Sequence, residues 1–167
     1  DYFAGFSATD VAYLEKWHKV VPKMEFWTYS WKPSYGLFFF DDFTNKQKAM
    51  ETMYKYGGYS LQDEGNKPSA QFSNFSALRI YLLKNLARDT GYNMTDDEAS
   101  AYYERLTQDF FNEDFGPASQ NMRMIFEKQK ERAQYMYNNW NSGENIYKQA
   151  YIDNGYYQTL TNSTWLE

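Results

Sequence analysis

The segment Pro117–Gly143 reads PASQNMRMIFEKQKERAQYMYNNWNSG. A proline opens it, a glycine closes it, and neither residue falls between them. Proline is tolerated in a first helical turn and glycine serves just past a last one, so this punctuation predicts one long helix. Inside it Met122, Ile125, Phe126, Ala133, Met136 and Trp140 recur at helical spacing, which turns one stripe toward a core. At 1.5 Å of rise per residue such a helix is roughly 35–40 Å long, the span of a small domain. Its halves differ. Up to Arg132, the cations Lys128, Lys130 and Arg132 interleave with Glu127 and Glu131, the pattern of a solvated, ion-paired face. Residues 133–143 carry no charge but hold Tyr135, Tyr137 and Trp140. Charge is depleted at interface cores, so this half is expected to meet either the C-terminal tail or another molecule.

Moving toward the N-terminus, Phe115-Gly116-Pro117 turns the chain into that helix. Before the turn, Thr95 and Glu98 form a capping box, and Asp96 and Asp97 complement the positive helix end. Ala99, Tyr102, Tyr103, Leu106 and Phe110 give this fourth helix its stripe. A third helix is expected from about Phe75 to Asp89, capped by Ser73 or Asn74. Leu78, Tyr81, Leu82 and Leu86 form one face, and Ile80 and Leu83 widen it, as in a central helix. A second helix is expected from Thr44, with Gln47 completing a capping box, and Gly57-Gly58 stops it. Its stripe is Ala49, Met50, Met53 and Tyr54. The polar stretch 57–72 reads as the longest surface loop. The first helix starts near Ser7, with Asp10 in its first turn and Phe6 placed to staple onto Val11. Val11, Leu14, Trp17, His18 and Val21 form its expected buried stripe, and Pro22 ends it.

Between these helices, residues 24–43 change character. Trp27, Tyr29 and Trp31 alternate with Thr28 and Ser30, Lys32 to Gly36 reads as a turn, and Leu37 to Phe40 follow. Alternation and aromatic enrichment predict a short aromatic β-hairpin, with an irregular loop as the other reading. After Gly143 a short helix is expected over about 144–152, then a C-terminal tail at 156–167. The whole reads as mainly α, one domain over 1–167: a bundle or irregular array of about five helices.

The chain has 167 residues, 21% aromatic, with 17 tyrosines and a net charge of −5. The acidic balance argues against nucleic acid as a partner. The absence of cysteine excludes disulfides, zinc-thiolate sites, iron–sulfur clusters and thiol nucleophiles. No run reaches 18 apolar residues, so no transmembrane span is expected. Asp1 in place of Met fits a mature form after cleavage of a targeting segment, in an organelle lumen or an extracytoplasmic compartment.

No catalytic set is complete. His18 is the sole histidine, three residues after Glu15 on one helix face, the spacing of di-iron carboxylate bundles. Such a site needs a second pair, which one histidine cannot supply, so a surface or interface histidine is expected. No G-x-S-x-G elbow and no P-loop occur. The acidic runs Asp41-Asp42, Asp63-Glu64, Asp96-Asp97-Glu98 and Glu113-Asp114 all fall at turns or helix starts, where capping and solvation account for them. Three sequons begin at Asn74, Asn93 and Asn162, two of them where caps are already needed. No catalytic, metal or cofactor residue is assigned.

What remains is aromatic. Trp27, Tyr29, Trp31, Tyr35, Phe38, Phe39 and Phe40 crowd into fourteen residues. Together with Tyr135, Tyr137 and Trp140 they are the interface candidates. The reading is a non-catalytic accessory subunit that docks these surfaces onto other protein subunits of a larger assembly. An extrinsic subunit of a photosynthetic or respiratory membrane complex is one concrete form, attached to the membrane through its partners only. The alternative is a ligand-binding module that stacks a sugar or pigment on the Trp/Tyr cluster.

Overall fold

The computed structural model describes residues 6–29, 39, 41–64 and 75–138. It is mainly helical with a small two-stranded parallel sheet: α1 (Ala8–Val20), β1 (Met24–Tyr29), α2 (Lys46–Lys55), β2 (Gly58–Glu64), α3 (Ser76–Arg88), α4 (Asp96–Phe115) and α5 (Ser119–Asn138). The segment read first is α5, entered through a 3₁₀ turn over Gly116–Ala118 that contains Pro117. Residues beyond 138, and with them the expected helix at 144–152 and the tail at 156–167, lie outside the described residues.

Two capping boxes form as the residue types dictate. Ser7 accepts from the Asp10 amide while Asp10 accepts from the Ser7 amide, and Thr95 and Glu98 repeat the arrangement at α4. The Thr44–Gln47 box does not form. α2 begins at Lys46 behind Asn45, with no side-chain cap. Asp41 instead closes the turn before the helix: it accepts the amides of Phe43 and Thr44 at 3.0 and 3.1 Å and the Thr44 hydroxyl at 2.7 Å.

The expected hairpin is corrected. β1 pairs with β2, in parallel, and β2 comes from the stretch read as a surface loop. α2 lies between them in sequence, so the unit is strand, helix, strand, in which parallel strands need a crossover. Residues 30–38 and 40, the turn and most of the second hairpin strand, lie outside the described residues. In the ladder Phe26 pairs with Leu61 and Thr28 with Asp63, whose carboxylate accepts the Thr28 hydroxyl at 2.8 Å. Phe26 and Leu61 pack against the core, whereas Trp27 and Gln62, one residue on, face outward. The ladder shifts register after Met24, which leaves Tyr59 as the extra residue.

Gly57 makes this junction possible. Its φ is +84°, and a Cβ there would lie 2.2 Å from the Pro22 carbonyl oxygen and 2.9 Å from His18 Nδ1. The end of α1, the start of β1 and the end of α2 all converge on this residue, whose carbonyl accepts the Met24 amide at 2.9 Å.

The core lies between α3, α4 and α5. Leu78, Leu82 and Leu86, one face of α3, are fully buried, as is Phe111. Phe126 of α5 is the centre of an aromatic cluster, edge-on to Phe43 at 4.9 Å and to Phe75 at 5.1 Å, with Phe39 and Phe111 completing the ring. Edge-to-face pairs at these distances suit the ring quadrupoles. Phe75, at the start of α3, is the one described non-glycine with positive φ, +53°, in the left-handed region. The expected stripes hold for Met50, Met53, Leu106, Phe110, Phe126 and Ala133, while Ile80, Ile125 and Tyr54 turn out exposed. The buried stripe of α1 is corrected outright: α1 has no buried residue, and Trp17 is 59% exposed.

Candidate functional site

Two features stand out on the side of the molecule built from α1, the sheet and α2. The first is a groove of about 470 Å³. α1 contributes Asp10, Tyr13 and Leu14 to it, preceded by Phe6; the strands contribute Phe26, Trp27, Thr28, Leu61 and Asp63. α2 adds Lys46, Ala49, Met50 and Met53, with Asn45 and Asp42 just before it, and Leu83 of α3 completes the lining. The size and the mix of apolar walls with a few polar groups are those of small-molecule sites.

The second feature is a buried ionic cluster that forms part of the groove wall. Asp42 lies between two cations: Arg79 Nε donates to its Oδ1 at 2.5 Å, and Lys46 Nζ sits 2.6 Å from Oδ2. All three side chains are at least nine-tenths buried. The Arg79 guanidinium also covers the Phe43 ring at 4.5 Å from its centroid. Burial opposes ionisation of Asp42, but Arg79 and then Lys46 outweigh it and hold the carboxyl below the usual carboxylate range. Asp41, fully buried, points the other way and is satisfied by the donors around Thr44 and by the Gln134 amide of α5. Tyr103 closes the cluster with its hydroxyl on the Phe43 carbonyl at 2.8 Å. Burial, and behind it the charges of Asp42 and Asp41, push that phenol well above its ordinary value.

The expected solvation of Asp41-Asp42 is thus corrected. Asp41 does cap a turn, but both carboxylates are interior, and Asp42 is held there by an arginine 37 residues later. Asp42 and Lys46 line the groove, and Arg79 meets the same carboxylate from outside the lining. Asp63 and Asp10, by contrast, stand nearer solvent, engaged by Thr28 and by Ser7 respectively.

The interface candidates divide. Trp27 is 60% exposed and borders the groove; Tyr135 is 57% exposed on α5. Phe39 is buried, stacked on Phe43 at 5.9 Å, and belongs to the core rather than to a surface. Tyr29 closes β1 and Tyr137 lies in the last turn of α5. Trp31, Tyr35, Phe38, Phe40 and Trp140 lie outside the described residues. Sequence reasoning missed Tyr13, Val20 and Tyr59, which are 58%, 77% and 67% exposed near Trp17 and Trp27 in the chain's first half. Tyrosines outside the 24–43 cluster were the available signal for Tyr13 and Tyr59; Val20 had none.

His18 does not face Glu15 across a metal site. It is half-buried with its ring edge-on to Tyr56 at 6.3 Å, while Glu15 lies 4.0 Å from Lys19. Among the described residues no three of His, Cys, Asp or Glu group in a way that could hold a metal ion. Asn93 is exposed in the turn before α4, where the Thr95 hydroxyl of its sequon serves the cap. Among the described residues no helix is long and apolar enough to cross a membrane. No family model, curated protein or solved structure matches this chain.

Proposed function

We propose that this chain is a non-catalytic accessory subunit that docks onto other protein chains of a larger assembly through its α1–β1–β2 side. The observation that carries the reading is α1 itself. It is thirteen residues long, properly capped, and buries none of them, while Tyr13, Trp17 and Val20 are exposed. Isolated helices of that length are marginal in water, and packing of one face normally supplies what is missing. A protein surface with an apolar centre would supply it here, since exposed aromatic groups of this kind mark interaction sites. An extrinsic subunit of a membrane complex, held to the membrane by its partners, remains the concrete form we favour.

The test is crosslinking of the native assembly. Lys16 and Lys19 of α1 should crosslink to a partner chain; crosslinks confined to Lys128 of α5 would overturn the assignment. The double variant Trp17→Lys/Val20→Lys should leave the assembly with its helical content unchanged.

The groove favours a second reading, a module that binds a small molecule. Its volume, its apolar walls and Trp27 at its border support that reading, whether the ligand is a sugar, a pigment or something else.

A further inference from the structure

The charges that line the groove are mostly negative. Among the described residues Asp10, Asp42 and Asp63 stand against one ammonium, Lys46. Counting Arg79, which meets Asp42 from outside the lining, still leaves three carboxylates against two cations. The acids differ in depth: Asp10 is exposed and Asp63 half-buried, at the mouth, whereas Asp42 is 4% exposed, at the floor. Asp10 uses Oδ2 to accept the Ser7 amide and hydroxyl, and these bonds hold its carboxyl below the usual range, so it is ionised at neutral pH. Asp63 accepts the Thr28 hydroxyl through Oδ1. Asp42 accepts Arg79 Nε through Oδ1. Its Oδ2 is buried and accepts no hydrogen bond from the described residues; Lys46 Nζ lies 2.6 Å away but outside a hydrogen-bonding direction. A buried acceptor left unmet is unfavourable, so this oxygen calls for a donor that the fold does not supply.

The rest of the lining is largely rings and hydrocarbon. Tyr13 and Trp27 are exposed beside the acids of the mouth, Phe6 lies edge-on to Phe26 at 6.5 Å, and Met50 and Met53 of α2 form an apolar wall. Aromatic faces attract cations, and an acidic cleft with apolar walls concentrates them. From this juxtaposition we infer that the groove binds an amphipathic organic cation, its ammonium beside Asp10 and Asp63 and a neutral hydrogen-bond donor on its apolar body turned toward Asp42 Oδ2. The inference rests on the second reading above, that the groove takes a small molecule. The ammonium belongs at the mouth because water still reaches it there, whereas Lys46 repels a second positive charge at the floor. The apolar walls give most of the affinity, and the two polar ends give the selectivity.

Four probes of one frame test it by calorimetry at neutral pH. Tyramine has both the ammonium and the phenolic donor, phenethylamine lacks the phenol, para-ethylphenol lacks the charge, and para-hydroxyphenylpropionate reverses it. Tyramine should bind one to one and weaken as salt is raised. Phenethylamine should bind roughly tenfold more weakly, as expected for losing one hydrogen bond to a charged acceptor. The propionate should not bind measurably. The pair Asp10→Asn/Asp63→Asn keeps shape and acceptors, and should bring tyramine down to the level of para-ethylphenol with the far-UV circular dichroism unchanged. Ala49→Phe, which narrows the groove, should abolish tyramine binding. The ligand series needs no variant, so it decides the matter even where a variant fails to fold. Propionate binding as tightly as tyramine would overturn the proposal, as would phenethylamine binding as tightly, because Asp42 Oδ2 would then have no part. Tyramine binding that survives Ala49→Phe would overturn it too, by placing the ligand elsewhere. Binding of para-ethylphenol or the propionate with both amines silent would sink the cation but leave the small-molecule reading standing; silence from all four would count against both.

Discussion

The two sides of this molecule are held together by different means. On the α3–α4–α5 side, leucines at 78, 82 and 86 and the rings around Phe126 are buried, and each such side chain removed from water stabilises by about 1.5–3 kcal/mol. On the α1–β1–β2 side none of α1 is buried and Trp17, Val20, Trp27 and Tyr59 are exposed. That side depends on backbone geometry at Gly57, on a two-stranded ladder and on a few hydrogen bonds. Two strands alone are marginal in water, so the sheet draws its persistence from Phe26 and Leu61 packed against the core. The contrast separates a part that stores stability from a part that presents surface, and regions of the second kind open most readily.

The largest effect should come from the interior. Arg79→Met leaves Asp42 buried with Lys46 alone and uncovers the Phe43 ring; a loss of about 3–5 kcal/mol is expected in urea unfolding. A loss below ~1 kcal/mol would show that the cluster is not part of the stable side. Gly57→Ala comes next. The φ of +84° and the close Pro22 carbonyl should cost of order 1–3 kcal/mol. Hydrogen exchange should quicken in β1 and β2 while α3 keeps its protection; equal quickening in both would dissolve the distinction between the two sides.

Acid and alkali probe the same interior. The native carboxyl of Asp42 lies below its ordinary value of 3.8, so its contribution is present above that pH and is lost as pH falls through the native value. The native phenol of Tyr103 lies above 10.0, so its contribution is present below that pH and is lost as pH climbs toward the native value. Stability should thus hold flat near neutrality and fall below about pH 4 and above about pH 10; Tyr103→Phe should remove its part of the alkaline loss. The smallest effect belongs to the open side. Trp17→Ser should change stability by less than about 0.5 kcal/mol while weakening assembly. A large stability loss would mean that α1 is structural after all.

What the sequence made legible was local. Ser7, Thr95 and Glu98 announce their helix starts because a cap is decided within four residues, and Gly57 announces a stop because φ is decided by one. The parallel ladder was not legible. Parallel strands leave no turn between them to read, and β2, with Ser60, Gln62 and Asp63, is polar enough to pass for a loop. The hairpin was the local solution to an alternation whose true partner comes after an intervening helix. The Asp42–Arg79 pair was hidden for a similar reason. Adjacent acids at a turn look solvated, and nothing near Arg79 in α3 marks it as interior until Phe43 is laid against it. The groove inherits this: its aromatic border at Trp27 stood out by composition, but its buried acceptor could be identified only from the fold.

Asp41 also carries a consequence in time. Its carboxylate joins the turn before α2 to Gln134 on α5, 93 residues further along. Closing so long a loop adds only about (3/2)RT ln n to the entropic cost, a slowly growing term. On a ribosome adding about 5–20 residues per second, however, the partner arrives roughly 5–20 s after Asp41 has been made. Until then the acid has its local turn but not its distant donor, and the aromatic cluster lacks Phe126. The strand–helix–strand unit therefore emerges first and waits, and the core around it closes only when the last described helix is delivered.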